Sequence, residues 1–500
     1  MKKKHIQLRT PLEFIPFIFC TIFLIVLGLL LFTNPTYHLK RSFIFSNIFV
    51  LIPFLITIFM FNKFYKDGKV RFRRNIVIFS LLILLFQILL IACIYFYSDW
   101  DVKAIRDLVN KFMQNRNLNN EFYLSIYPNN ILLTSILVLI KCIPFIGKYY
   151  ITTLIINAII VNISGIFTVF ALKNFLNEKL ALISYIFMIP LIMLSPWITI
   201  PYTDTFALPF VSIIIYLYSK SNKNRVDYFL IGLTSILGYK IKPTVIIVSI
   251  AILIVEVFSI TKKSKFKEIY KKCFLIFCGA SLAFFAFNMS KICLKFKPIN
   301  NLKPITYKHY LAMGQNDETV GAYSQKDVDE TLKYGEQYDL QKFKKRVISR
   351  SLDETLKFYH KKTMLNFNDG SFSWGLDGAF FYKKVPVSSN FAKFLRQIYY
   401  NDGKYYNIFI QTNHYIWLIV LLLCPWMVRR KNSKFTLMIM LSIIGLTMFL
   451  TIFEPRTRYM YCFSPAFIIA ANVGLCNLNN HIENFKDRIN FKSKEVNNEK

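Results

Sequence analysis

Long, unbroken apolar stretches set the first limit on what this chain can fold into. Residues 76–98, 151–172 and 180–198 are apolar over about 18 residues or more, the length a helix needs to cross a hydrocarbon core of ~30 Å. In lipid no water is available to satisfy backbone N–H and C=O groups, so a stretch of this kind must close its hydrogen bonds within itself. The 500 residues are 54% hydrophobic and 17% aromatic, with a mean hydropathy of +0.40, which no ordinary soluble domain matches. The sequence predicts an all-α polytopic membrane protein, a multi-span bundle of about 11–13 transmembrane helices. Juxtamembrane helices on the outer face and one long extracytoplasmic loop complete it.

The chain carries 62 Lys and Arg against 28 Asp and Glu, a formal charge of +34. In a soluble protein that excess would suggest a nucleic-acid partner. Here the basic residues crowd the short loops between apolar stretches, which is the positive-inside pattern. No basic domain stands free of the membrane segments, so no nucleic-acid partner is expected. Of the nine cysteines, Cys20, Cys93, Cys142, Cys278 and Cys424 lie in apolar stretches. With no CxxC pair there is neither a zinc signature nor a disulfide framework. The basic start followed by an apolar run lacks a small-residue cleavage site, so the run is expected to be an uncleaved first span.

Loop charge threads the chain through the membrane. Spans 11–33 and 43–61 form an N-terminal pair that leads into the basic loop "NKFYKDGKVRFRRN" inside. Residues 76–98 then carry the chain out, placing Asp99 and Asp101 on the outer face. Residues 131–147 are apolar but broken by Lys141 and Pro144. A full crossing there would put "KNFLNEK" and "SKSNKNR" outside, against the charge rule. A shallow or re-entrant helix on the outer side is expected instead. Residues 151–172 then run inward, 180–198 outward and 207–218 inward, leaving "TIPYTDTF" outside. Residues 229–258 have basic flanks at both ends and "GYKIKPT" in the middle. They read as a hairpin of two short helices with Lys240, Lys242 and Pro243 at its tip. Such a tip borders a recess, where irregular backbone at depth is tolerated.

Residues 273–293 run outward, 415–428 inward, 436–453 outward to "EPRTRYMY", and 462–476 back. The division is then 1–75, an N-terminal helical pair; 76–293, a transmembrane module with acidic outer loops; 294–411, an extracytoplasmic loop or small domain; 412–476, C-terminal transmembrane helices; and 477–500, a polar tail expected to be partly disordered. Both termini are expected in the cytoplasm, and no internal repeat is present.

Four groups of charged residues fall where apolar spans end on the outer side: Asp99 with Asp101, Asp204, Lys240 with Lys242, and Glu454 with Arg456 and Arg458. A carboxylate there can accept a proton from an attacking hydroxyl. Cations there can neutralise a departing phosphate, and arginine suits phosphate oxygens by its bidentate fork. Each residue also has a plainer reading. Asp99 or Asp101 could cap the following helix, and for Asp101 taken alone the cap is the simpler reading. Glu454 and Arg456 could be a structural ion pair, the lysines could snorkel to head groups, and residues 127–130, "YPNN", could be a simple turn. Asp99, Asp101, Asp204, Glu454 and His309 are hard or imidazole donors that suit a divalent cation. No spacing demands one, and no cofactor is expected on the sequence.

The ordered series "SDWDVKAIRDLV", "EFYLSIYPNN", "PYTDT", "GYKIKPT", "HYLAMGQN" and "FEPRTRYMY", spread over residues 76–471, resembles the GT-C superfamily of integral membrane glycosyltransferases. It resembles in particular the branch of bacterial proteins similar to dolichyl-phosphate-mannose protein mannosyltransferases. The resemblance implies a GT-C-like bundle and inverting transfer of a sugar from a polyprenyl-phosphate donor to a cell-wall, glycolipid or protein acceptor at the outer face of the bilayer. It implies Asp101 as the base, with Asp99 in reserve and Asp204 as the second acidic site. Lys240 or Lys242, with Arg456 and Arg458, would hold the donor phosphate, supported by Glu454, His309, Tyr127 and Asn129. The first two spans depart from the pattern, because the resembling proteins often place the acidic loop after span one. A polysaccharide polymerase or lipid-linked glycan flippase is the alternative. A transporter would be expected to show repeated halves and charges at mid-membrane.

Overall fold

The computed structural model describes residues 11–32, 71–143, 149–259, 266–376, 379–429 and 432–498, with side chains in the last helix described as far as His481. The expected second span, 43–61, and most of the basic loop after it lie outside the described residues. The described chain is almost wholly helical. In order, it forms α1 (Ile15–Phe32), α2 (Phe72–Ile94), a short strand β1 (Phe96–Tyr97), α3 (Trp100–Asn115), α4 (Phe122–Ile126), α5 (Ile131–Cys142), α6 (Tyr149–Phe175), α7 (Glu178–Ile183), α8 (Tyr185–Met188), α9 (Thr203–Ser219), α10 (Arg225–Ile241), α11 (Ile246–Phe258) and α12 (Phe266–Cys293). There follow α13 (Tyr307–Met313), α14 (Gln325–Tyr334), α15 (Glu336–Ile348), α16 (Leu352–Phe367), strand β2 (Lys383–Lys384), α17 (Asn390–Tyr399), α18 (Tyr406–Leu423), α19 (Lys434–Ile452), α20 (Arg458–Tyr461) and α21 (Ser464–Asn498). β1 and β2 pair antiparallel.

Among the described residues, six helices are long and apolar enough to cross a membrane, and the helical segments Pro128–Cys142, Thr203–Ser219 and Pro243–Phe258 are shorter apolar elements. The protein is therefore an all-α polytopic membrane protein. Close helix contact comes from small residues. A Cβ added at Gly232 would lie 1.9 Å from the Ile276 carbonyl oxygen, and one at Gly279 would lie 2.0 Å from that of Phe229. α10 and α12 thus meet backbone to backbone, a packing that in lipid relies on van der Waals contact.

Three expectations are altered or made more definite. Residues 180–198 do not form one span. They break into α7, α8, a π-helical stretch Ile189–Met193 and a 3-10 turn Pro196–Thr199, as Pro190 and Pro196 require. Neighbouring side chains satisfy the freed carbonyls: Gln87 Nε2 donates to Met193 O at 2.7 Å, Tyr461 Oη to Ile192 O at 3.1 Å and Asn157 Nδ2 to Ile198 O at 2.9 Å. Irregular backbone at depth is stable when protein buries it in this way. Second, the segment 294–411, expected as a loop or small domain, is a helical lobe in its described part, and α16 packs against α1 and α19. Third, the tail expected to be partly disordered continues α21 to Asn498.

The segment 131–147 behaves as a local excursion within its described part. Asn130, just before α5, bonds Tyr123 of α4, and Lys141 near its other end bonds Asn110 of α3. Tyr150, at the start of α6, donates to Phe96 O at 2.9 Å. The chain therefore leaves and rejoins the same end of the bundle, the end that carries Asp101.

Candidate functional site

The site is built at that end, where α3 begins. Asp99 occupies the N-cap position of α3, but its side chain makes no capping bond. It lies instead 3.5 Å from Lys103 in a partly exposed pair, so Asp99 is drawn away from the site. Asp101 is in the first turn, where the helix dipole favours a carboxylate. It is not the cap. Tyr123 Oη donates to its Oδ1 at 2.8 Å and Tyr202 Oη to its Oδ2 at 2.9 Å. Each carboxylate oxygen thus keeps acceptor capacity for one more partner. Burial, then the Tyr202 and Asp101 charges, pushes the Tyr123 hydroxyl well above its ordinary range, so it remains a donor at neutral pH. Asn130 Nδ2 donates to Tyr123 Oη at 2.8 Å, which holds that hydroxyl in place.

Trp100, between the two aspartates, has φ of 49°, a strained conformation for a bulky residue that usually persists only where surroundings enforce it. Its indole donates to Ser98 Oγ at 2.7 Å and meets Tyr202 edge-on at 5.0 Å. The guanidinium of Arg458 lies over its ring at 4.9 Å. Behind it, Phe380 stacks on Trp100 and joins Trp197 and Trp374 in an aromatic core.

Asp204 sits in the first turn of α9 and pairs with Lys242. Both are buried, at 1% and 6% exposure. Asp204 Oδ2 has no hydrogen-bond partner among the described residues. Lys242 is the extended residue between α10 and the turn Pro243–Val245, so the hairpin tip is where the spacing put it. Its ammonium lies 4.3 Å from the Tyr459 ring centroid. Tyr459 Oη donates to Glu454 Oε2 at 2.8 Å. The stretch 454–459 therefore reaches the neighbours of both acidic groups, through Arg458 to Trp100 beside Asp101 and through Tyr459 to Lys242, the partner of Asp204. Tyr202, two residues before Asp204, donates to Asp101 and packs on Trp100, over which the Arg458 guanidinium lies.

Other expected residues are placed differently. Lys240 faces the rings of Phe287 and Phe284 on α12, at 4.4 and 5.2 Å, away from Asp204. Lys242 is matched by Asp204, so it is not a solvent-facing phosphate clamp. Arg456 Nε is 3.4 Å from Glu454 Oε1, the structural ion pair. Among the described residues, Asn129 makes a 3.5 Å contact to Asn130. The role expected of Asn129 falls to Asn130. Tyr127 packs on Tyr123 at 5.2 Å. Burial, Tyr323, and then the Asp101 and Glu454 carboxylates raise its hydroxyl above the usual range.

His309 is in the core of the helical lobe. Its Nδ1 lies 2.6 Å from Thr331 Oγ1, which donates to Asp339 Oδ1 at 2.8 Å. Burial lowers its pKa to about 4. No group of three or more His, Cys, Asp or Glu that could hold a metal forms among the described residues, so Asp99, Asp101, Asp204, Glu454 and His309 do not gather into a divalent-cation site.

The site is braced from the lobe. Lys362 of α16 donates to Gly314 O at 2.5 Å and lies 3.5 Å from Ile452 O, and Gln315 Nε2 donates to the same Ile452 O at 3.0 Å. Thr457 Oγ1 donates to Leu365 O at 2.5 Å. These bonds fasten "MGQN" and α16 to the end of α19, where "EPRTRY" starts. Trp100, Tyr123, Tyr202, Tyr459 and Lys362 were not singled out in the sequence. A usable signal was present for three of them, since an aromatic neighbour accompanies the charges in "SDWD", "PYTD" and "RTRY".

Neither the curated proteins nor the solved structures contain a match to this chain. The model of a family described as "Conserved hypothetical integral membrane protein" matches residues 9–477, and the chain belongs to that family.

Proposed function

We propose that this integral membrane protein is a glycosyltransferase of GT-C type, which moves a sugar from a polyprenyl-phosphate donor to an acceptor hydroxyl at the Asp101 end of the bundle. The observation that carries this reading is the convergence around Tyr202. Asp101, Asp204 and Arg458 come from three distant stretches of chain: Tyr202, two residues before Asp204, donates to Asp101 and meets Trp100 edge-on, and the Arg458 guanidinium lies over the same Trp100 ring. The basic loops end at the opposite side of the bundle, which by the positive-inside rule faces the cytoplasm. The Asp101 end then faces outward, where lipid-linked rather than nucleotide-linked sugars are the available donors.

In this mechanism the acceptor oxygen attacks the anomeric carbon while its proton passes to Asp101. The bond from that carbon to the phosphate oxygen breaks, and polyprenyl phosphate leaves with the electron pair. Arg458, stacked on Trp100 beside Asp101, receives the growing phosphate charge. The Asp204–Lys242 pair and Tyr459 hold the hairpin tip against "EPRTRY". A single displacement inverts the anomeric centre, by the logic of inverting glycoside hydrolysis.

The test is sugar transfer by purified protein from a panel of labelled prenyl-phosphate sugars. Asp101→Asn keeps size and can still accept from one tyrosine, but it replaces the other acceptor oxygen by an amide donor and removes the base. It is expected to lose about 10²–10⁴-fold in turnover with unchanged thermal unfolding. Asp99→Asn is expected to lose little, and Arg458→Lys to be impaired because the fork is gone. Retained activity in Asp101→Asn would remove Asp101 as the base.

A further inference from the structure

The end of the bundle opposite Asp101 carries a second charged feature, which the transferase reading does not use. There the ends of α9, α10, α11, α12 and α19 border an open cleft of about 430 Å³, whose lining includes Lys223, Lys272, Lys434, Glu256 and Tyr228. Glu256 is buried and central. Its Oε1 accepts from Tyr218 Oη at 2.9 Å, and its Oε2 lies 3.0 Å from Lys272 Nζ and 3.2 Å from Lys434 Nζ. Lys223 Nζ donates to the carbonyls of Tyr218 at 2.9 Å and Lys220 at 2.7 Å. Lys220 itself is matched by Asp227.

Three lysines against one carboxylate leave two positive charges in the cleft. Burial, together with the Lys272 and Lys434 ammoniums and against the pull of Glu256, pushes Lys223 below the ordinary lysine value. Helix electrostatics do not account for the arrangement. Glu256 is in the last turn of α11 and Lys434 is the first residue of α19, each at the end whose dipole disfavours it. The groups hold one another, with cationic charge to spare. The volume lies within the range of small-ligand sites. Two residues along from Tyr228, Glu256 and Lys272, and so on the outward faces of the same helices, Val226, Phe258 and Phe274 are 58%, 45% and 54% exposed, and α12 is the least buried of the long apolar helices among the described residues. A basic pocket between membrane helices with bare apolar flanks is suited to a head group with its acyl chains attached.

We propose that this cleft binds the phosphate head group of an anionic membrane lipid, whose chains lie along the exposed flanks of α10, α11 and α12. The chemistry shared with any free ion is a phosphate anion among ammonium groups. The apolar flanks assign the lipid. The site is independent of the transferase reading and stands or falls separately.

The experiment uses the full-length protein in neutral detergent and follows thermal unfolding during titration with dioctanoyl phosphatidylglycerol, dioctanoyl phosphatidylcholine or sodium phosphate. Phosphatidylglycerol is expected to raise Tm saturably, phosphatidylcholine not to, and phosphate only at far higher concentration. Lys223→Gln and Lys434→Gln are each expected to weaken phosphatidylglycerol binding roughly fivefold. Glu256→Gln keeps the Tyr218 bond and removes the competing negative charge, so it is expected to tighten binding by a similar factor. Because each affinity comes from the ligand-dependent shift, a variant with a lower starting Tm still reports. Equal shifts by both lipids, unchanged affinity in the Lys223→Gln/Lys434→Gln double variant, looser binding in Glu256→Gln, or full reproduction of the effect by phosphate alone at the same concentration would each overturn the proposal.

Discussion

Asp204 and Glu256 are both carboxylates near the end of an apolar helix, and both pair with lysine. Asp204 has one lysine, Lys242, and both partners are almost wholly enclosed, with Tyr459 over the ammonium. Glu256 shares two lysines whose side chains remain 28% and 48% exposed. The first pair is a sealed joint between α9 and the hairpin tip. The second sits in an open basic cleft that can exchange partners. Water access, more than residue type, decides which charges are structural and which are available to a ligand, because the desolvation penalty of an unpaired ion rises steeply with burial.

The largest expected effect breaks the sealed pair. Asp204→Ala leaves a buried, uncompensated ammonium and is expected to cost about 3–5 kcal/mol, read as thermal or denaturant unfolding in detergent. Asp204→Leu with Lys242→Met should recover most of the loss. Removing the Glu256 charge frees lysines that reach water, so its ion pairs should account for about 1 kcal/mol or less. Equal losses at the two sites would end the comparison.

Acid should separate the two ends next. His309, in the lobe over the Asp101 end, has its pKa lowered to about 4 by burial, against about 6.5 in an unfolded chain. Between those values the unfolded state binds more protons. The stabilising contribution is therefore complete above pH ~6.5 and is lost as pH falls toward ~4, by roughly 3 kcal/mol at most. Hydrogen exchange should show α13–α16 losing protection over that window, and His309→Gln should flatten the response. No histidine is among the described residues that line the opposite cleft, so its amides should not follow.

A smaller change sharpens the account of Asp101. Tyr202→Phe removes one of its two hydroxyl donors and should cost about 1 kcal/mol, with a loss of transfer well short of that in Asp101→Asn. The smallest effect concerns salt. Raising ionic strength from 0.1 to 1 M shortens the screening length from ~10 to ~3 Å. A double-mutant cycle on Glu256 and Lys434 should lose its coupling of under ~1 kcal/mol, while one on Asp204 and Lys242 stays unchanged.

Membrane residence and helical class were legible in the sequence, because unbroken apolar runs of this length leave the backbone no other way to satisfy itself. The hairpin tip at Lys242 was legible for a related reason: charge and proline interrupt a run whose two flanks are both basic. The break at 189–199 was not, because what makes it tolerable lies far away in the chain, in Gln87, Asn157 and Tyr461. The candidate site divides in the same way. The sequence supplied Asp101, Asp204, Lys242 and Arg458 as a set at span ends, since charge beside apolar sequence is locally visible. It could not assign their partners. Only the tertiary structure turned Lys240 toward α12, gave Asp99 to Lys103, matched Lys242 with Asp204 and hung Asp101 between Tyr123 and Tyr202. Those choices depend on which helix faces meet, and a residue's own neighbours in sequence do not encode that.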